Sequence, residues 1–134
     1  MAGENIKETI YKENGFKFIV NPRKVYFSPR LAAERERIAK QVKSNEKVLD
    51  MFCGIGPFSI QLAKKAEEVY AIDINKYAIK LLKKNAEINK IKNIKYFCGD
   101  SKKVLKEINE NFDRVIMNLP SDSINFLDLA TKKS

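Results

Sequence analysis

Residues 47–58 read KVLDMFCGIGPF, and this stretch decides the fold. Val48 to Phe52 is an apolar run broken only by Asp50, the pattern of a strand buried on both faces. Gly54-Ile55-Gly56 makes a tight loop, and Pro57 opens a helix predicted over 57–65, where proline is favoured in the first turn. Strand, glycine loop and helix form the first unit of an open α/β sheet. Ligands of such sheets bind at the carboxyl ends of the strands, near the switch in strand order.

The alternation continues toward the C-terminus. Val69–Ile72 reads as a second strand ending in Asp73, and residues 76–89 as a helix with Ala78, Leu81, Leu82 and Ala86 along one side. Ile94–Cys98 is a third strand, followed by Gly99-Asp100 and a helix over 101–109 with Ser101 as N-cap. Phe112–Met117 is a fourth strand, closed by Asn118-Leu119-Pro120, and 123–130 is expected to be helical. Toward the N-terminus, residues 31–42 form a helix started by Ser28 or Pro29. Ahead of it, Phe16, Phe18 and Val20 alternate with Lys17 and Ile19 after an Asn14-Gly15 turn signal. Val25-Tyr26-Phe27 is a further short apolar run, bounded by Asn21-Pro22 and Ser28-Pro29.

The expected fold class is therefore α/β, a Rossmann-like doubly wound and mostly parallel sheet. A small β-rich segment over 1–30 precedes a core over 31–134. The sequence stops just after the fourth strand, so the core is expected to be incomplete at its C-terminus and the chain to be a fragment. The 134 residues make up one domain's worth of chain. Hydrophobic residues are 44% and charged residues 32%, a globular composition. No apolar run approaches the roughly 20 residues needed to span a bilayer, and the N-terminus lacks a signal-peptide core. The expected location is the cytoplasm, with no membrane partner. Lysine and arginine number 26 against 17 acidic residues, a net charge of +9. Such an excess attracts polyanions such as RNA, although a Lys/Glu-rich surface serving solubility gives the same balance. Histidine is absent, which excludes histidine catalysis and histidine metal sites, and no metal is expected. Cys53 and Cys98 lie within apolar segments and are expected to be buried thiols.

Candidate ligand positions recur at the strand ends: Asp50 with Gly54 and Gly56, then Asp73, Asp100 and Asn118. The loop is not GxGxxG, because Pro57 and Phe58 replace the third glycine, and it lacks a Walker lysine. Asp50 would repel a phosphate but suits the cationic amino group of a methionine moiety. Asp73, 23 residues further on, can accept from vicinal ribose hydroxyls, or it can cap the following helix. Asp100 can accept from an adenine amino group, or serve only as a carboxylate at a helix start. Asn118 offers both an acceptor and donors to a base edge, although an Asn-Leu-Pro turn without chemistry is the alternative.

The stretch VLDMFCGIGPF resembles the cofactor loop of class I S-adenosylmethionine methyltransferases. Together with VYFSPRLAAERERIA and MNLP at 117–120, it is similar to the archaeal and eukaryotic tRNA (guanine-37-N1)-methyltransferases over residues 8–128. The resemblance implies S-adenosylmethionine as cofactor, tRNA bound at its anticodon region as substrate, and a monomeric enzyme. It implies cofactor and base contacts from Tyr26 and Arg30, a general-base carboxylate at Glu34, and target-base contacts from Asn118 and Pro120. Read without it, Glu34 is a solvent-facing helix glutamate. With Phe52, Ile74 and Ser101 beside the strand-end positions, the cofactor set is Tyr26, Arg30, Asp50, Phe52, Gly54, Gly56, Asp73, Ile74, Asp100, Ser101 and Asn118. Members of that family carry an N-terminal RNA-docking domain and further strands, so the isolated chain is expected to turn over weakly or not at all.

Other readings remain. A wyosine-pathway relative transfers an aminocarboxypropyl group from the same cofactor, and a Rossmann-like module can bind cofactor or RNA without turnover. Methylation of exocyclic amines is disfavoured by the single Pro120 between Leu119 and Ser121, and a dehydrogenase by Asp50 and the missing third glycine. A pyrimidine C5 enzyme needs a cysteine nucleophile near the base, which neither Cys53 nor Cys98 supplies.

Overall fold

The computed structural model describes residues 8–25 and 27–117. The N-terminal hairpin pairs β1 (Thr9–Glu13) with β2 (Phe16–Val20), antiparallel, around Asn14 and Gly15 at positive φ. The chain then passes through a 3-10 turn (Pro29–Leu31) into α1 (Ala32–Gln41). The core follows as β3 (Lys47–Asp50), α2 (Pro57–Ala63), β4 (Glu68–Asp73), α3 (Lys76–Ile88), β5 (Ile94–Cys98), α4 (Ser101–Glu107) and β6 (Arg114–Ile116).

The four core strands are parallel in the order β5-β4-β3-β6. The chain lays β4 and β5 to one side of β3, then returns to place β6 on the other side. The strand order therefore reverses at β3, and its carboxyl end is where such sheets bind ligands. Both sheet faces are buried. Val48, Val69 and Ala71 pack with α2 and α3 residues such as Phe58, Ile60, Leu81 and Leu82. Leu49, Tyr70 and Ile72 face the other way onto Leu105, Ile108 and Phe112. One-residue alternation along each strand thus feeds two apolar layers, which is why the strands read as continuous apolar runs.

Four local expectations are corrected. In the β-rich segment expected over 1–30, Val25 and Phe27 of the second apolar run lie outside any strand. Asn21 Oδ1 accepts from Arg23 N, and the Asn21 carbonyl accepts from Lys24 N and Val25 N, so the chain turns here; Tyr26 lies outside the described residues. Ser101 is not the N-cap of α4. Asp100 is, accepting from Lys102 N, and Ser101 is the first helical residue. Cys98 is exposed, because β5 is the sheet edge and Cys98 is its last residue. Helices and strand edges are trimmed, α4 ending at Glu107 and β6 spanning only Arg114–Ile116. The helix expected over 123–130 lies outside the described residues. Among these, no helix is long and apolar enough to cross a membrane.

Candidate active site

Asp50 ends β3 and is 1% exposed. The Ser59 hydroxyl, in the first turn of α2, donates to its Oδ2 at 2.6 Å. Its Oδ1 is buried and has no hydrogen-bond partner among the described residues. Burial, reinforced by the negative charge of Asp73, pushes the Asp50 carboxyl up to about 7 against the pull of Ser59. A carboxylate so placed is stabilised by a cation that brings its own hydrogen-bond donor.

Asp73 ends β4 and ties the loop down. Its Oδ2 accepts from Gly54 N at 2.8 Å and its Oδ1 from Asn75 N at 2.9 Å. A carboxylate has about four lone-pair sites, so two remain for ligand hydroxyls. Capping of α3 falls to Asn75, whose side chain accepts from Tyr77 N and Ala78 N. Gly54 and Gly56 have φ of 56° and 97°. At Gly56 a Cβ would lie 2.2 Å from Leu82 Cδ1, so this glycine lets the loop close onto α3. Cys53 is buried, and burial beside Asp50 and Asp73 raises its thiol well above the ordinary range, which leaves it an inert packing residue.

Next to the loop, Ile74 is 73% exposed, an apolar side chain facing solvent directly after Asp73. Phe52 is half-buried and packs on the second apolar layer. Asp100 caps α4, and the buried Ser101 hydroxyl donates to the Met51 carbonyl, fixing the loop's first residue. Arg30 is exposed on the 3-10 turn. Tyr26, Asn118 and Pro120 lie outside the described residues. Glu34 lies in the first turn of α1 and pairs with Arg37 at 2.5 Å. The hydrogen bonds from Arg37 hold its carboxyl below the usual range. Glu34 also lines a depression of about 250 Å³ with Leu31, Ile38, Phe58, Val115, Ile116 and Met117. Phe58 of α2 and the end of β6 thus border the same hollow as Glu34, and Met117 is the residue before Asn118.

Sequence reasoning missed Ser59, Asn75 and Arg37. The signal at Asn75 was legible as Asx before a helix. Ser59 had none beyond a small hydroxyl in the first helical turn. Among the described residues, no group of three or more His, Cys, Asp or Glu gathers to hold a metal.

A parallel sheet with its order switch at β3, a glycine loop and acidic strand ends defines the class: a Rossmann-like, class I methyltransferase fold. Residues 9–134 match the model of the TRM5/TYW2 methyltransferase domain. The chain belongs to that family. It is 53% identical over 130 residues to tRNA (guanine(37)-N(1))-methyltransferase Trm5b of Pyrococcus abyssi, covering 97% of this chain and 38% of that relative. The solved complex of aTrm5 with tRNALeu superposes with a TM-score of 0.86 at 48% identity, over 96% of this chain and 37% of that one. M. jannaschii TYW2 in complex with AdoMet gives 0.81 at 37% identity, over 95% and 57%. The chain therefore spans about 38% of the length of the curated relative it matches.

Proposed function

We propose that this chain is the cofactor-binding part of an S-adenosylmethionine-dependent methyltransferase that acts on N1 of guanine 37 in the anticodon region of tRNA. The observation that carries the reading is the buried, unpartnered Asp50 Oδ1 beside a glycine loop pinned by Asp73. That pair fits a ligand with an ammonium group and vicinal hydroxyls and disfavours one with phosphates. Asp50 would hold the ammonium, Asp73 the ribose hydroxyls, and exposed Ile74 would flank the adenine. When bound, S-adenosylmethionine supplies a methyl group activated by its sulfonium.

Guanine N1 as acceptor is supported by the relatives so named and by Glu34 in the hollow next to β6. N1 carries a proton that has to leave as its nitrogen takes the methyl. Glu34 would accept that proton, giving up at least one hydrogen bond from Arg37. Asn118 and Pro120 would line the target base. The test is a single-turnover reaction with excess protein, unmodified tRNA transcript and methyl-labelled cofactor, read by nucleoside mass. Whatever label is transferred, even at the low yield expected of this chain alone, should be recovered as 1-methylguanosine at position 37. An aminocarboxypropyl adduct, or label at another base, would overturn the reading.

A further inference from the structure

A groove of about 600 Å³ runs beside α3, away from the cofactor loop, with Lys80, Lys83, Lys84, Lys90 and Lys92 on its walls. Residues 76–92 hold six lysines against the single acid Glu87, which is five of the nine net positive charges of the whole chain. Among the described residues none of these six lysines is paired with a carboxylate, whereas Lys47 and Lys95, elsewhere on the surface, are. The groove is not uniformly polar. Tyr96 on the edge strand β5 and Ile91 form part of its lining, and the Lys83 ammonium lies 5.4 Å from the Tyr96 ring centre. A second hollow shares Lys80 and Lys83 and continues to Lys76 and Cys98. These two residues lie at the end of the sheet where β4 delivers Asp73, so the basic track reaches the cofactor end.

We infer that this track binds the phosphate backbone of the RNA substrate and guides it toward the reacting end of the sheet. The inference rests on the reading of the chain as an RNA methyltransferase. Lysines three or four residues apart on one helix face are separated by a rise of about 4.5–6 Å, comparable to the separation of neighbouring phosphates along a strand. Unpaired ammoniums on concave walls release counterions from such a polyanion without first breaking protein ion pairs. A flat anionic membrane would meet only the rims of a groove.

The probe is a fluorescently labelled, unmodified tRNA transcript, titrated by anisotropy from about 50 to 200 mM KCl. The variant is Lys80→Gln, Lys83→Gln, Lys84→Gln and Lys90→Gln combined. A control removes the same charge elsewhere, at exposed Lys12, Lys40, Lys43 and Lys64. The expected result is at least about tenfold weaker RNA binding for the groove variant, with the salt slope reduced by about one for each phosphate no longer neutralised. The control should weaken binding by under about threefold, as expected for screened, distant charge. Equal weakening in both variants, unchanged binding by the groove variant, or no RNA binding by the parent chain would each overturn the inference. So would loss of binding to phosphatidylserine vesicles with RNA binding intact. Calorimetry with S-adenosylmethionine on the same samples separates the two proposals: cofactor binding without groove-dependent RNA binding sinks only this one.

Discussion

Asp50 couples protonation to both stability and ligand binding. Its carboxyl is raised from 3.8 to about 7 in the fold, so the folded chain takes up a proton that the unfolded chain does not. The stabilisation is fully present below about pH 4, declines by up to about 1.4 kcal/mol per unit as pH rises, and is gone above about 7. Urea titrations of the unliganded protein should follow that slope, and Asp50→Asn should flatten it. Ligand binding runs oppositely, because a cation needs the ionised form. Affinity for S-adenosylmethionine should fall up to about tenfold per unit as pH drops below 7 in the parent chain and not in Asp50→Asn. A pH-independent affinity would remove Asp50 from the ammonium role. At Glu34 the arrangement is inverted, since Arg37 lowers its carboxyl. Arg37→Gln should raise the Glu34 midpoint in a carboxyl NMR titration; an unchanged midpoint would show the pair absent in solution. Of these details, the sequence showed Asp50 and Asp73 as strand-end acids. It showed neither the Ser59 bond nor the Arg37 pair, because both depend on side-chain rotamers that charge and spacing do not encode.

At the level of elements, α3 serves the hairpin as a substitute strand. Asn89 accepts from Lys17 N and donates to the Lys17 carbonyl, and Asn85 does the same at Ile19. Asn85 also donates to the Ile55 carbonyl, so one buried amide joins hairpin, helix and cofactor loop. Asn85→Ala would leave three main-chain groups without this partner and should cost about 2–4 kcal/mol, against about 1 for the exposed-bond site Asn89→Ala. Chemical denaturation checks both, and equal costs would contradict the role given to Asn85. The apolar period of α3 was legible in the sequence, as were the Asn14-Gly15 turn and the four core strands. The work of Asn85 was not: a polar residue inside an amphipathic helix reads as surface until a strand edge is brought against it. At 21–25 the sequence marked the break at Asn21-Pro22 but not the Asn21 bonds to Arg23, Lys24 and Val25 that close the turn.

Across the whole molecule, a buried ion pair fastens the N-terminal segment to the core. Arg35 on α1 donates to Glu13 on β1 at 2.6 and 2.7 Å, and Gln61 on α2 donates to Glu13 at 2.6 Å. Arg35 also lies 5.2 Å from the Phe27 ring and 5.8 Å from that of Phe58, which borders the Glu34 hollow. Phe18 and Val20 of the hairpin share the apolar cluster of α2 and α3. Glu13→Ala would strand a buried guanidinium and should cost about 3–5 kcal/mol in one unfolding transition, followed by circular dichroism. A separate early transition for the hairpin would contradict this coupling. The fold class was readable from end to end because strand, loop and helix signals agreed. The ion pair was not, since Glu13 and Arg35 are 22 residues apart and look like surface charges.

The central claim is that the loop between Asp50 and Asp73 receives a sulfonium nucleoside, and one calorimetric comparison tests it. The chain is titrated with S-adenosylmethionine and, separately, with NAD. One-site binding of the first, lost in Asp73→Lys, and no heat from the second are predicted. Binding of NAD with equal or greater affinity, or S-adenosylmethionine binding untouched by the Asp73 reversal, would contradict the account.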